Sequence, residues 1–312
     1  MEAPRKGGYR DSLKNPDTEE HIDLAFYRPL GYAWACLAAR LGITPNAITI
    51  ASIFLGIAAG IAFYFNDLWI NIVGMLLLVW ANTFDSADGQ LARITGQHSR
   101  IGRILDGISG DLWFASIYIA ICLRENTTSE FFSAHHWVIW LIAVAAGICH
   151  AKQAAMADYY RQFHLYFLHH GERSELEKSY NLKRKYKSLS WGKEPLKKVV
   201  MMLYLKYTIN QETFTPAMQR LRAVLAEKYP DGAPASFRQE FRSLSLPLMK
   251  YTNILTFNWR SIALFASVFA GMPWQYFIFE LVVLNALLIY MVRRHEAICR
   301  SLTARVEDGD FS

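Results

Sequence analysis

The sequence predicts an all-α integral membrane protein with six transmembrane helices, an N-terminal interfacial amphipathic helix and a helical cytoplasmic insertion. Of its 312 residues, 53% are hydrophobic and 19% are charged, whereas soluble domains carry about 25% charged residues. The apolar residues are concentrated in runs that approach the about 20 residues a helix needs to cross a bilayer. Lysine and arginine flank these runs, as they do at the ends of membrane spans.

Residues 1–44 are predicted to form a cytoplasmic N-terminus that ends in a juxtamembrane helix. His21–Ile43 places leucine and alanine residues toward one side and ends at Gly42, before Pro45. A helix of this kind lies in the plane of the membrane interface. The alternative is that it begins the first span and bends at Pro45.

Six stretches are predicted to be membrane spans. They are Ala47–Phe65, Leu68–Asn82, Ile101–Leu123, His136–Ala151, Ile254–Ala270 and Trp274–Val292. The first four belong to a predicted segment 45–160, and the last two belong to 251–312 with a cytoplasmic tail. The second and fourth are short and continue into polar residues, which need to face protein rather than lipid.

The distribution of lysine and arginine predicts the orientation of the spans, because cytoplasmic loops are enriched in both. Basic residues cluster before span one, between spans two and three, and after span six. Both termini are therefore predicted to be cytoplasmic. The net charge of +6 is interpreted as affinity for anionic inner-leaflet lipid and not for nucleic acid.

Residues 161–250 are predicted to form a basic cytoplasmic insertion between spans four and five. Its densest run of basic residues is Lys178–Lys198, and apolar and aromatic residues interleave the whole segment. Such a segment is too apolar for a linker. We predict several short helices that lie against the anionic inner leaflet.

Four aspartates near the turn between spans two and three carry the strongest functional signal. Asp85 and Asp88 lie at i and i+3 and share a helix face, and Asp106 lies in the second turn of the returning helix at about the same depth. Asp111 follows. Crowded carboxylates near hydrocarbon repel one another unless cations neutralise them, and oxygen ligands suit Mg²⁺ or Mn²⁺. The alternative is paired carboxylates on a solvated loop.

Two neighbours of the aspartates suit a phosphate-bearing ligand. Gly89 has no side chain, so a donor can approach the backbone closely. Arg93 supplies a fixed positive charge for phosphate.

These residues resemble the motif of the CDP-alcohol phosphotransferase (CDP-alcohol phosphatidyltransferase) family, Asp-x2-Asp-Gly-x2-Ala-Arg-x8-Gly-x3-Asp-x3-Asp. The chain keeps every spacing from Asp85 to Asp106, and residues 42–49 resemble the family at the start of the first span. The resemblance implies a homodimeric enzyme of phospholipid biosynthesis. It implies transfer of a phosphatidyl or other substituted phosphate group from a CDP-linked lipid donor to an alcohol acceptor, with release of CMP.

The resemblance also implies roles for individual residues. Two metal ions, Mg²⁺ or Mn²⁺, would be held by Asp85, Asp88, Asp106 and Asp111. Asp111 would be the catalytic base, and Asp106 would act beside it as a shared metal ligand. The CDP part of the donor would be bound by Asn46, Asp85, Gly89, Ala92, Arg93 and Gly102.

One position departs from the motif, because the fourth aspartate is expected at Gly110 and Asp111 follows it instead. In a regular α-helix, residue i+5 points well away from residue i. We hypothesise a π-bulge within Gly107–Gly110, which would absorb the extra residue and return Asp111 to the cluster.

The acceptor is predicted from cations near the depth of the aspartates. Lys152, Arg161 and Arg260 would bind an anionic acceptor such as inositol phosphate or glycerol phosphate. The alternative for Arg260 is a structural ion pair, since a buried cation needs a partner. The alternative enzyme is a choline- or ethanolamine-type phosphotransferase, whose cationic substrate would be bound by a box of aromatic side chains. Its candidate aromatics are Tyr159, Tyr160 and Trp259.

Other interpretations of the polar residues remain open at this stage. A six-helix ion or solute transporter would also bury charges, although the aspartates gather at one level. Glu280 is interpreted as a helix–helix hydrogen-bonding residue. His164, His169 and His170 are interpreted as surface histidines, because their spacing matches no metal site.

Overall fold

The computed structural model describes residues 8–13, 15–97, 99–168, 176, 178–192 and 194–311, and within these ranges it contains helices and no strands. The α-helices are α1 Arg28–Leu41, α2 Pro45–Tyr64, α3 Leu68–Thr95, α4 Arg100–Thr128, α5 Glu130–Ala134, α6 His136–Leu168, α7 Ser179–Ser188, α8 Pro195–Phe214, α9 Pro216–Lys228, α10 Ala235–Ile254, α11 Phe257–Phe269, α12 Gln275–Ile278 and α13 Asn285–Asp308. A 3₁₀ helix spans Tyr9–Ser12, and π-helical segments span Asp23–Tyr27 and Phe279–Leu284.

Five helices in the described part of the chain are long and apolar enough to cross a membrane. They are Pro45–Tyr64, Leu68–Thr95, Leu105–Thr128, His136–Leu168 and Gln275–Asp308. Each overlaps one predicted span, and four of the five continue well beyond the apolar stretch that predicted them. All-helical architecture is therefore confirmed for the described residues.

The sixth predicted span, Ile254–Ala270, is not confirmed. Helix α10 ends at Ile254, and α11 starts again at Phe257 and has 13 residues. A helix of that length rises about 20 Å, which is less than the about 30 Å of a bilayer core. The break at Leu255 and Thr256 is what separates the apolar stretch from the preceding helix.

Helix caps fix the turns around the motif. Thr44 caps α2 by accepting a hydrogen bond from the Ala47 amide, and Pro45 occupies the first position, where no amide hydrogen is needed. Helix α3 ends at Gly96, which has φ of +70°. Ser99 then caps α4 by accepting from the Gly102 amide at 2.8 Å. The short connection makes α3 and α4 sequential neighbours with the motif at their joined ends.

The structure divides into two compact units, and the first contains the motif. It comprises the chain through Ile148 together with Asn258–Leu281. Small residues let its helices approach closely: a Cβ at Gly56 would lie 2.0 Å from the Trp113 side chain, and one at Gly60 would lie 2.1 Å from Ser116 Oγ. Such contacts are typical of helix packing in membranes.

Helix α1 packs against α3 in the same unit. The contact is a small apolar cluster of Ala35, Ala38, Ile48, Ala87 and Leu91. The helical stretch that begins at His21 and ends at Gly42, where φ is +68°, matches the predicted His21–Ile43 helix in position. Its location in the membrane interface remains a prediction.

The second unit comprises Cys149–Phe257 and Val282–Ser312. Helix α9 packs on α13, and Glu296 of α13 accepts hydrogen bonds from the Ala217 and Met218 amides at 2.8 and 3.2 Å. A carboxylate at this place satisfies amides that the first turn of a helix leaves open. Helix α7 packs on α8 within this unit.

Candidate metal and nucleotide site

Three carboxylates meet at the joined ends of α3 and α4. Asp85, Asp88 and Asp106 each offer one oxygen, and these oxygens all lie within 4.8 Å of one another. Asp88 is buried, with 4% of its surface exposed, whereas Asp106 is exposed. The group is therefore anchored in protein on one side and open on the other.

Hydroxyl groups hold two of these carboxylates. Thr49 Oγ1, on α2, donates a hydrogen bond to Asp88 Oδ2. Ser109 Oγ, on α4, lies 2.9 Å from Asp85 Oδ1 and 2.8 Å from the Asp106 main-chain oxygen. Helices α2, α3 and α4 thus all contribute to the orientation of the cluster.

The cluster suits a hard divalent cation. Its donor atoms are all oxygens, and one carboxylate is buried among helices beside two others. Crowding and burial both disfavour ionised carboxylates unless a positive charge compensates them. Mg²⁺ and Mn²⁺ prefer such oxygen ligands, so the residues present fit the predicted metal.

The expected π-bulge is not present, and that hypothesis is wrong. Residues Arg100–Thr128 form one continuous α-helix, which keeps every backbone hydrogen bond in register through Gly107–Gly110. Asp111 is exposed, lies about 140° around the helix from Asp106, and is not part of the group of three. Its role as fourth ligand or base stays a prediction.

Arg93 faces Gly89 one turn earlier on α3. A Cβ on Gly89 would lie 3.5 Å from Arg93 Nη1 and 3.7 Å from Nη2. Arg93 Nε donates to the main-chain oxygen of Ser12 at 2.6 Å. Its Nη2 atom is buried and has no hydrogen-bond partner among the described residues. An unpaired buried donor of this kind is costly and is suited to an anionic ligand.

The remaining predicted nucleotide-binding residues lie around the same helix ends. Ser99 Oγ donates to Asn46 Oδ1 at 3.1 Å. A Cβ on Gly102 would lie 2.3 Å from that same Asn46 oxygen, so a larger residue at this position would displace the Asn46 side chain. Ala92 is half-buried on α3, next to Arg93.

An N-terminal contact was missed by the sequence interpretation. Gln90 Nε2, on the motif helix, donates to Ser12 Oγ at 3.0 Å and to the Arg28 main-chain oxygen at 3.2 Å. The Arg28 side chain in turn donates to Glu19 at 3.1 Å and to Ser86 Oγ at 3.2 Å. The segment from Tyr9 to Arg28 therefore packs on α3 and orients its motif side chains.

Two of the predicted acceptor-binding cations lie in the second unit. Lys152 is exposed on α6. Arg161, also on α6, donates to Asn253 Oδ1 from Nε at 3.2 Å and from Nη2 at 2.6 Å. Their role in acceptor binding remains a prediction.

Arg260 forms a buried ion pair within the first unit. Only 1% of its surface is exposed, and its Nη1 donates to Glu280 Oε1. Tyr118 and Tyr276 also donate to Glu280, the latter at 2.6 Å. The helix–helix interpretation of Glu280 is confirmed, and this geometry favours the structural alternative for Arg260.

The histidine interpretation was wrong for His164. This side chain is buried, and its Nδ1 lies 2.8 Å from Ser245 Oγ. His169 and His170 lie outside the described residues.

Comparisons with known proteins agree with the motif. A family model described as CDP-alcohol phosphatidyltransferase matches residues 42–210, which is more than half of the chain and includes the motif. The archaetidylinositol phosphate synthase of Pyrococcus horikoshii is 38% identical over 85 residues, which are 27% of this chain and 44% of that protein. The match thus spans less than half of that relative. The chain is an integral membrane protein that belongs to the CDP-alcohol phosphatidyltransferase family.

Proposed function

We propose that this chain transfers a phosphatidyl or other substituted phosphate group from a CDP-linked donor, with CDP-diacylglycerol preferred, to the hydroxyl of a polar alcohol. CMP is released. The observation that carries the proposal is the group of Asp85, Asp88 and Asp106 beside Arg93, whose buried Nη2 has no partner among the described residues. Carboxylates for a metal and a cation for phosphate are the two requirements for binding a pyrophosphate.

In this proposal the carboxylates of Asp85, Asp88 and Asp106 hold one or two Mg²⁺ or Mn²⁺ ions. The bound metal would supply positive charge that stabilises the phosphoryl oxygens and the leaving CMP. Thr49 and Ser109 orient the carboxylates, so that little reorganisation is needed when the donor binds.

The donor would be held at the end of α3. Arg93 would donate to a donor phosphate from Nη2, and Gly89 would leave the space that this phosphate occupies. Asn46, Ala92 and Gly102 would contact the cytidine part. Because Ser12 fixes one edge of the guanidinium, the open edge keeps a defined direction.

Asp111 is the proposed base that takes the proton from the acceptor hydroxyl. It is exposed and outside the group of three, so its carboxylate is not among those proposed to hold the metal. Asp111→Asn should lower kcat while metal affinity stays unchanged. A variant with the kcat of the unmodified enzyme would assign the base to another group.

The proposed acceptor is an anionic polyol phosphate such as inositol phosphate or glycerol phosphate. The printed name of the Pyrococcus relative supports this class, and Lys152 and Arg161 are the cations that would bind it. Arg260 was predicted to join them, but it already pairs with Glu280. Of the aromatics that would recognise choline, Tyr159 and Tyr160 are only 3% and 1% exposed, so that alternative lacks support.

We further propose the finer features implied by the sequence. These are six spans, an interfacial helix before the first span, a homodimer, a cytoplasmic location for both termini and the site, and contact with anionic inner-leaflet lipid. The basic residues before α2 and within α13 support this orientation.

CMP release tests the function directly. The purified protein is incubated with labelled CDP-diacylglycerol, Mg²⁺ or Mn²⁺, and each of inositol phosphate, glycerol phosphate, inositol, serine and choline. We expect metal-dependent CMP release with a phosphorylated acceptor. Asp106→Asn should abolish it, and the control Asp308→Asn, at an exposed position, should not. Equal release by both variants, or none from the unmodified protein, would contradict the proposal.

A further inference from the structure

An exposed apolar stripe runs along α8 in the second unit. Its members recur at i, i+3, i+4 and i+7, which places them on one side of the helix. They are Val200, Leu203, Tyr204 and Tyr207, and each is exposed, Leu203 most of all at 58%. Helix α8 is not one of the five candidate spans, so this stripe is not explained by a membrane-crossing helix.

A neighbouring part of α8 is already used for packing. Leu205, Thr208 and Gln211 are buried, and Gln211 Nε2 donates to the main-chain oxygen of Ala155 at 2.8 Å. Helix α8 therefore has a packed face and, next to it, an apolar face that is exposed.

Strong positive charge accompanies the exposed face along the chain. Residues 178–206 contain nine lysine or arginine residues and one glutamate, and that glutamate, Glu194, pairs with Lys197. Helix α7, which packs on α8, contributes Lys183, Arg184, Lys185 and Lys187, all exposed. Exposed Trp191 lies in the connection between α7 and α8.

From this arrangement we infer that α7 and α8 form a docking surface for an anionic lipid monolayer, with the stripe Val200–Tyr207 inserted at the boundary between headgroups and acyl chains. An apolar face flanked by basic residues and by interfacial aromatics is the composition that binds such a boundary. Tyrosine and tryptophan favour that depth because they have an apolar ring and a polar atom. The inference rests on the proposed contact with anionic inner-leaflet lipid and names the helices that make it, but it does not need the proposed chemistry.

The test compares two exposed aliphatic residues of the same helix. Leu203 belongs to the stripe, whereas Ile209 is exposed but lies about 120° or more from each of the stripe's central members. Each is replaced by cysteine in a full-length protein in which the partly exposed Cys36 and Cys149 are changed to serine. The labelled proteins are reconstituted in bilayers that contain acyl-chain-brominated lipid, with about one third anionic lipid or with none.

We expect bromine to quench a fluorophore at Leu203→Cys several-fold more than one at Ile209→Cys in anionic bilayers. Neutral lipid, or the combined change Lys183→Glu, Arg184→Glu and Lys187→Glu, should remove most of that difference. Equal quenching at the two positions, or quenching that ignores lipid charge, would overturn the inference. Disulfide-linked dimers through Leu203→Cys would overturn it in favour of a second copy as the occupant. Circular dichroism and elution volume establish that each variant is folded.

Discussion

Arg93 is bound along one edge of its guanidinium and open at the other. Its Nε reaches the Ser12 carbonyl, while its Nη2 is buried without a partner among the described residues. We predict that Arg93→Gln raises the KM for the CDP-linked donor by roughly 10- to 100-fold, because a charged hydrogen bond contributes about 1.5–3 kcal/mol. Steady-state kinetics with varied donor measure it. The exposed Arg40 on α1 provides the control, and Arg40→Gln should leave KM unchanged.

At Gly89, a substitution is expected to affect donor binding and protein stability differently. A Cβ at this position meets only ordinary contacts, the nearest at 3.5 Å, and alanine is favoured over glycine inside a helix by about 1 kcal/mol. We therefore predict that Gly89→Ala leaves the unfolding temperature equal or higher but weakens donor binding at least several-fold. Thermal unfolding and donor KM are measured together. A variant that is less stable yet binds donor normally would contradict this assignment.

The aspartates that meet in the structure are those whose positions could be predicted from helix periodicity and a short turn. Asp85 and Asp88 share a face by spacing, and Asp106 reaches them because a short turn joins α3 to α4. Asp111 could not be placed from spacing, since both a regular helix and a bulge are compatible with glycines at 107 and 110. The continuous helix is the arrangement that leaves no backbone hydrogen bond broken.

At the scale of elements, the N-terminal segment shows what local sequence does not encode. Ser12 is buried by Gln90 and Arg93, whose positions lie 78 and 81 residues further along the chain. A short polar segment has no periodicity that would reveal so distant a partner. Hydropathy likewise did not reveal that α11 has only 13 residues, because the break before Phe257 involves ordinary residues.

The N-terminal segment is expected to act through Arg93. Gln90→Leu removes the hydrogen bonds to Ser12 and to the Arg28 carbonyl while keeping a buried side chain of similar size. We predict faster proteolysis between Tyr9 and Arg28 and a several-fold higher donor KM, with kcat changed much less. Gln90→Asn keeps the amide on a side chain that is one methylene shorter. It should therefore reach these partners poorly and restore little of the donor binding. A fall in kcat at unchanged donor KM would contradict a positioning role.

The Arg260–Glu280 pair is expected to stabilise the contact of α11 with the segment after α12. Removing one partner of a buried pair costs about 3–5 kcal/mol, whereas replacing both by apolar residues is often neutral. We predict that Arg260→Met lowers the unfolding temperature and that Arg260→Met with Glu280→Met recovers most of it. The acceptor KM of the double variant decides between roles. An unchanged value supports the structural pair, and a large increase would return Arg260 to the acceptor site.

At the scale of the whole molecule, the carboxylate cluster should link metal binding to stability. A ligand that binds only the folded state stabilises it by RT ln(1 + [L]/Kd), about 2.7 kcal/mol at one hundred times Kd. Without metal, Asp88 is a buried carboxylate beside two others, so its ionisation opposes folding. We predict that Mg²⁺ or Mn²⁺ raises the apparent unfolding temperature of chelator-treated protein in proportion to the logarithm of its concentration.

Asp88→Asn should raise the unfolding temperature when metal is absent and reduce the stabilisation that added metal gives. The amide keeps the shape of the side chain and can still accept from Thr49, but it removes one negative charge from the cluster. The metal-free variant should therefore unfold at a higher temperature than the metal-free original protein, and it should respond little to added Mg²⁺ or Mn²⁺. Asp308→Asn should match the original protein in both conditions. If Asp88→Asn is instead destabilised without metal and keeps the full metal response, Asp88 acts as a structural hydrogen-bonding residue and the ion is held elsewhere.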